Sequence, residues 1–164
     1  MNNKTILKWD LEFDAELDFV LIAISSPLKD YRLCHFINKL TLLNFVRGKE
    51  DKFDHNQKLK QKTSEELEYH IVFDNAKKSE QHFTTFWYIN TKFQTEYYLI
   101  NNKSIEGNLL IPEHPNFDYF IIINNYIDDD DLDRIVKNIN KIPEVVFVKE
   151  ISPKILKSKE NLIF

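Results

Sequence analysis

One nine-residue stretch concentrates side chains able to move a proton: Ile111-Pro112-Glu113-His114-Pro115-Asn116-Phe117-Asp118-Tyr119. Two carboxylates and an imidazole this close together are the raw material of general acid–base catalysis, provided the fold brings them to a common atom. The two prolines fix φ just ahead of an apolar run. The same residues therefore also suit a rigid loop entering a strand, with Glu113 capping backbone amides or pairing with a lysine and Asp118 and Tyr119 anchoring the strand start. Cys34 is the sole cysteine, which removes an intrachain disulfide and any CxxC zinc or redox pair. With no base identified beside it, a small buried thiol is a simpler reading than a nucleophile.

Other constellations fail on spacing. Asp128 to Asp131 invites calcium, but an EF-hand loop begun at Asp128 puts Leu132 and Ile139 at ligand positions, and neither carries a side-chain oxygen. Helix capping accounts for the run. Ser26-Pro27-Leu28-Lys29 fits the SxxK pattern without its companion SDN and KTG elements, which leaves Ser26 as a helix cap. The five histidines, His35, His55, His70, His82 and His114, show no HExxH spacing. Gly48 and Gly107 are the only glycines, so phosphate-cradling loops and nucleophile elbows, which need several close together, are excluded. No residue set requires a cofactor or a metal.

Phe83, Phe86, Trp87, Tyr88, Tyr97 and Tyr98 crowd two neighbouring strand patterns, and rings on an exposed sheet stack single-stranded bases. Without an RNP1 pattern or a basic balance, cross-strand packing accounts for them better. The 164 residues carry a net charge of −4, with 43% hydrophobic and 29% charged residues. That describes a globular chain able to bury one substantial core, without the electrostatic footprint of a DNA binder. The longest uncharged apolar run, Phe19 to Ile24, is too short to span a membrane, and no signal-peptide run precedes it. A cytoplasmic location is expected.

The nine-residue stretch resembles the element that names a family of uncharacterised bacterial proteins, the IPExxxVDY motif. Ile111, Pro112, Glu113, Asp118 and Tyr119 match it position by position, with Phe117 in place of the valine. The Phe19 to Ile24 run, the Asp30-Tyr31-Arg32-Leu33 segment and the ending Lys157 to Phe164 are similar to that family's layout. The resemblance implies a cytosolic bacterial protein and brings no assigned activity with it.

The elements that must position these residues follow from periodicity. Residues 5 to 13 alternate as a half-buried strand, and Phe19 to Ile24 is apolar on both faces, as in a sheet covered on both sides. A helix from Pro27 to about Leu43, capped by Ser26, carries a core stripe of Leu33, Phe36, Ile37, Leu40 and Leu43. Tyr31, His35, Asn38 and Leu42 form a stripe that suits a partner or, equally well, contact with the insertion. A short strand at 44–48 and a polar loop at 49–65 lead to an antiparallel meander: Leu67 to Phe73, Phe83 to Ile89 and Tyr97 to Ile100. Phe117 to Ile123 is a second two-sided strand. A helix behind Asp128 carries Leu132, Ile135, Val136, Ile139 and Ile142 until Pro143, and Val145 to Val148 closes the pattern.

The chain thus reads as a single α+β domain over residues 1–164, with a ferredoxin-like split β-α-β plan built from units 19–48 and 117–149. The meander 66–101 is an insertion, and the N-terminal strand is an addition. Both helices then cover one sheet face, so the other face needs a roof from the insertion, the N-terminal strand or a second subunit. The last option would give a sheet-to-sheet homodimer or a ligand held between subunits; cover from within the chain is the favoured reading. The expected role is a binding or regulatory module acting through a protein partner or a small ligand. Its surface would comprise Pro112, Glu113, Asp118, Tyr119, Tyr31 and His35. Two alternatives stay open: a single-stranded RNA-binding protein using the aromatic strands, and an enzyme using Glu113, His114 or Asp118.

Overall fold

The computed structural model describes residues 18–48 and 64–163. The expected strand at 5–13 and nearly all of the expected loop at 49–65 lie outside the described residues. In chain order the elements are β1 (Val20–Ser25), α1 (Asp30–Leu40), α2 (Ser64–Glu68), β2 (Tyr69–Asp74), β3 (Ser79–Asn90), β4 (Thr95–Asn101), β5 (Tyr119–Asn124), α3 (Asp129–Asn140) and β6 (Phe147–Ile151). Two 3₁₀ turns, Pro153–Ile155 and Lys159–Leu162, follow.

The six strands make one sheet in the order β2-β3-β4-β5-β1-β6, every neighbouring pair antiparallel. The meander is present as β2-β3-β4. β3 is long because two partners share it end to end: β2 pairs with Ser79–Thr84 and β4 with Thr85–Asn90. β5 and β6 both flank β1 antiparallel, so they run parallel to each other and α3 joins them across β1.

The expected strand at 44–48 is instead a single bridge, Val46 to Trp87. Two local facts explain this. The free edge of β5 is taken by β4 from Glu96↔Asn124 to Asn101↔Tyr119. The Asn38 side chain also claims both backbone groups of Phe45, accepting from its N–H at 2.8 Å and donating to its carbonyl at 2.9 Å.

Alternation along the strands divides the apolar side chains into two cores. Ile22, Ile24, Leu99, Ile121 and Ile123 lie under Leu33 and Ile37 of α1 and Leu132, Ile135 and Ile139 of α3. On the opposite face Leu21, Ala23, Phe83, Trp87, Tyr98, Phe120 and Ile122 are covered by Leu67, Leu110, Ile111, Leu156 and Leu162. The second face is therefore roofed within the chain, as removal of that much apolar surface from water at roughly 25 cal/mol per Å² demands. Among the described residues, however, the cover comes mainly from the 102–118 loop and the C-terminal turns, with Leu67 supplied by the insertion.

Several expected boundaries move. α1 starts at Asp30 with Lys29 as its cap and no side-chain capping bond, so Ser26 is not its cap. Leu40 is left partly exposed near the helix end. Leu67 sits in α2 rather than in a strand. The last strand begins only at Phe147. By contrast Asp128 caps α3 as expected, its carboxylate accepting from the N–H groups of Asp130 and Asp131.

Candidate functional site

The proline-flanked motif is built as a clasp joining three parts of the chain. Ile111 is fully buried in the second core, while Pro112 is exposed beside it. Glu113 reaches the C-terminal segment: one carboxylate oxygen accepts the Ser158 N–H at 2.9 Å, and the Ser158 hydroxyl lies 2.9 and 3.0 Å from the two oxygens. Asp118 turns the other way and accepts the Ser26 N–H at 2.8 Å, while its own N–H donates to the Ile24 carbonyl at 2.9 Å. Tyr119, buried against the helices, donates its hydroxyl to the Leu28 carbonyl. These two bonds, with Ser26 Oγ donating to the Glu144 carbonyl and accepting from Leu28, commit residues 26–28 to a turn. That is why α1 starts late.

The electrostatics follow the same geometry. Partial burial pulls the Glu113 carboxyl upward. The hydrogen bonds from the Ser158, Glu113 and Lys157 backbones and from the Ser158 side chain outweigh it, so the group ends below the usual carboxylate value. That makes Glu113 a poorer proton acceptor than a free glutamate. His114 packs its ring at 5.7 Å from Phe117 and gives its carbonyl to Asn102. Burial first, and the charges of Asp30 and Asp118 second, raise the Tyr119 phenol, keeping it a donor.

The centre of the clasp is Asn102, which no motif or periodicity in the sequence singles out. It is almost fully buried, donates to the carbonyls of His114 (3.1 Å) and Phe117 (2.8 Å), and accepts from the Ile111 N–H at 2.9 Å. Its own backbone pairs with Asp118 and Leu110. One side chain thus gathers Ile111, His114 and Phe117 and sets the shape of the motif half of the 102–118 loop.

The other candidates lie elsewhere. Tyr31 and His35 are exposed on α1, but Asn38 is spent on Phe45 and leaves their stripe. Cys34 is buried against the first core. Burial, then the charge of Asp30, push its thiol up to about 12 despite a hydrogen bond from Asn38, which suits an inert thiol. Of the six clustered aromatics, Phe83, Phe86, Trp87, Tyr97 and Tyr98 are buried, and they divide between the two faces of the sheet. They pack cores instead of forming one exposed stacking platform.

A cleft opens on the helix side. It has a volume of about 660 Å³ and is bounded by the end of α1, by α3 and by the paired strands β3 and β4. Its floor is the cross-strand pair Tyr88 and Tyr97, stacked with centroids 5.6 Å apart at 30°. Lys39, Arg134, Asn90 and Asn138 supply polar groups, and Leu42 and Ile135 apolar ones. Arg134 pairs with Asp131 at 3.0 Å, both well exposed, a contact that a ligand can exchange at little cost. Among the described residues neither tyrosine hydroxyl has a hydrogen-bond partner. Burial, then the Tyr88 and Asp131 charges, push the Tyr97 phenol up to about 12, so it stays protonated and able to donate. The volume falls in the range of small-molecule sites.

Among the described residues no helix is long and apolar enough to cross a membrane, and no group of three His, Cys, Asp or Glu side chains is arranged to hold a metal ion. Comparison of the chain with protein-family models, with curated proteins and with solved structures returns no match.

Proposed function

We propose that the protein is a non-catalytic binding or regulatory module that takes a small ligand in the cleft between α1, α3 and the β3–β4 pair. The observation that supports this reading is the Tyr88–Tyr97 stack: two phenol groups without hydrogen-bond partners among the described residues, on the floor of a cleft of about 660 Å³. In the motif loop, by contrast, Asn102 and Asp118 are spent on backbone groups and Glu113 on the Ser158 backbone and hydroxyl. In the same reading, the frame is ferredoxin-like with the meander strand β4 standing where the 44–48 strand was expected: β4-β5-β1-β6 carry α1 and α3 on one face, and β2 and β3 enlarge the sheet. The chain is then a cytoplasmic member of the IPExxxVDY-motif family, carried by Ile111, Pro112, Glu113, Asp118 and Tyr119. The motif serves the fold, and the cleft serves the ligand.

The test is a fragment library screened by ligand-observed NMR against the full chain, with the tyrosine ring signals followed in parallel. Fragments that bind are expected to shift the Tyr88 and Tyr97 rings and to lose affinity at least fivefold in Tyr88→Ala. Binding fragments that leave both rings unmoved, or a library without a single binder, would refute the site.

A further inference from the structure

We propose that His82 is a pH-operated latch for α2: its protonated ring ties the first turn of α2 to the sheet through Glu65, and loss of that proton loosens α2 while the 103–109 turn stays docked. The geometry is a four-group cluster in which three carboxylates converge on one imidazole. Glu106, from the turn closed by the Lys103–Leu109 bridge, grips His82 twice. One oxygen accepts its backbone N–H at 2.7 Å and the other faces Nδ1 at 2.6 Å. Nε2 faces Glu65 of α2 at 3.3 Å and Glu80 of β3 at 3.8 Å. From β2 the Tyr69 ring meets the imidazole edge-on at 5.8 Å, and Arg47 lies over that Tyr69 ring at 5.1 Å.

The two nitrogens respond differently to deprotonation. A neutral imidazole keeps one N–H, and the shorter contact to Glu106 keeps it on Nδ1. Nε2 then turns a lone pair toward Glu65 and Glu80, so attraction becomes repulsion. The 103–109 turn has other ties: Ile105 N–H to the His82 carbonyl at 2.9 Å, Ser104 Oγ to Gln81 at 2.9 Å, and Asn108 to Asp74 at 2.6 Å. α2 is five residues long, too short to persist without tertiary docking. The hydrogen bond to Glu106 raises the His82 value most. Burial opposes it, and the charges of Glu106 and Glu65 add to it. A native value raised above the unfolded one gives a tie that is complete below about pH 6.5 and is lost as pH rises through the native value. Because Glu65 is well exposed, the docked population of α2 should change roughly two- to fivefold.

The experiment follows the His82 ring proton and the Leu67 methyl signals of the full chain by NMR from pH 5.5 to 9. The Leu67 signals and the amide protection of residues 66–68 are expected to change with the His82 midpoint. In Glu65→Gln, His82 should still titrate while Leu67 becomes insensitive to pH; Glu106→Gln should lower the His82 midpoint. Leu67 signals that stay fixed through the His82 titration, or that still follow it in Glu65→Gln, would overturn the latch.

Discussion

Removing the Asn102 side chain tests whether one buried amide organises the motif loop. Asn102→Ala leaves the Ile111 N–H, part of the fully buried start of the motif, without its acceptor at 2.9 Å, and releases the carbonyls of His114 and Phe117. A buried donor left unpaired costs about 1–3 kcal/mol, and each half-buried carbonyl, which water can reach, about 0.5–1 kcal/mol. The sum is about 2–5 kcal/mol, or a fall in Tm of roughly 5–20 °C for a domain of this size. Asn102→Asp sharpens the argument. One carboxylate oxygen still accepts from Ile111, but the other replaces the amide donor and faces two carbonyl oxygens. At pH 7 the Asp variant should therefore be less stable than the Ala variant. Its carboxyl gains a raised native value, so the missing stability is present below about pH 3.9 and is lost as pH rises through that native value. Urea unfolding followed by circular dichroism at pH 4 and pH 7 measures both. An Ala variant within 0.5 kcal/mol of the parent, or an Asp variant as stable as Ala at pH 7, would refute the reasoning.

Three further outcomes follow from the same geometry. Glu113→Gln should destabilise by about 1–2 kcal/mol through weaker bonds to Ser158. Because the native Glu113 value is lowered, its contribution is present above about pH 4.3 and is lost as pH falls through the native value; the variant's stability curve should be flatter below pH 5. Tyr119→Phe removes only the bond to the Leu28 carbonyl and should cost about 1 kcal/mol in urea titrations with no loss of helix signal. Cys34 should resist iodoacetamide in the folded protein at pH 8 and react fully once urea unfolds it; rapid labelling of the native state would contradict its burial.

What could be read in advance was set by periodicity, and what could not was set by side-chain-to-backbone bonds. Phe19 to Ile24 and Phe117 to Ile123 announced central strands because both their faces are apolar, and the requirement for a second roof followed at once. The identity of that roof was hidden. Leu156 and Leu162 lie in a lysine-rich ending whose 3₁₀ turns are held by Glu113, by His70 donating to the Asn161 carbonyl, and by Asn161 donating to the Leu110 carbonyl. No local pattern marks such long-range ties. The Ser26 capping rule failed for a related reason, since Asp118 and Tyr119, some ninety positions away, hold residues 26–28 in another conformation. The cleft was equally invisible: Tyr88 and Tyr97 read as two more core aromatics, and only the end of α1 at Leu40 leaves space above them.

The most chemical-looking residues of this chain and its most available ones are different sets, and the difference has a physical cause. A two-sided sheet needs cover on both faces, and here one cover consists of irregular backbone, whose polar groups must find partners as they approach an apolar core. Glu113, Asp118, Ser26, Asn102 and Asn161 supply those partners, which is why acids and amides gather beside the strand start without converging on a common atom. The helical cover needs no such help, because α1 and α3 satisfy their own backbones. Between the end of α1 and α3, the stacked Tyr88 and Tyr97 floor a cleft whose edge carries Lys39 and Arg134. In the reading proposed above, Tyr88, Lys39 and Arg134 are the groups a ligand would meet, and substitutions of these exposed or half-buried side chains should spare stability while the motif substitutions do not.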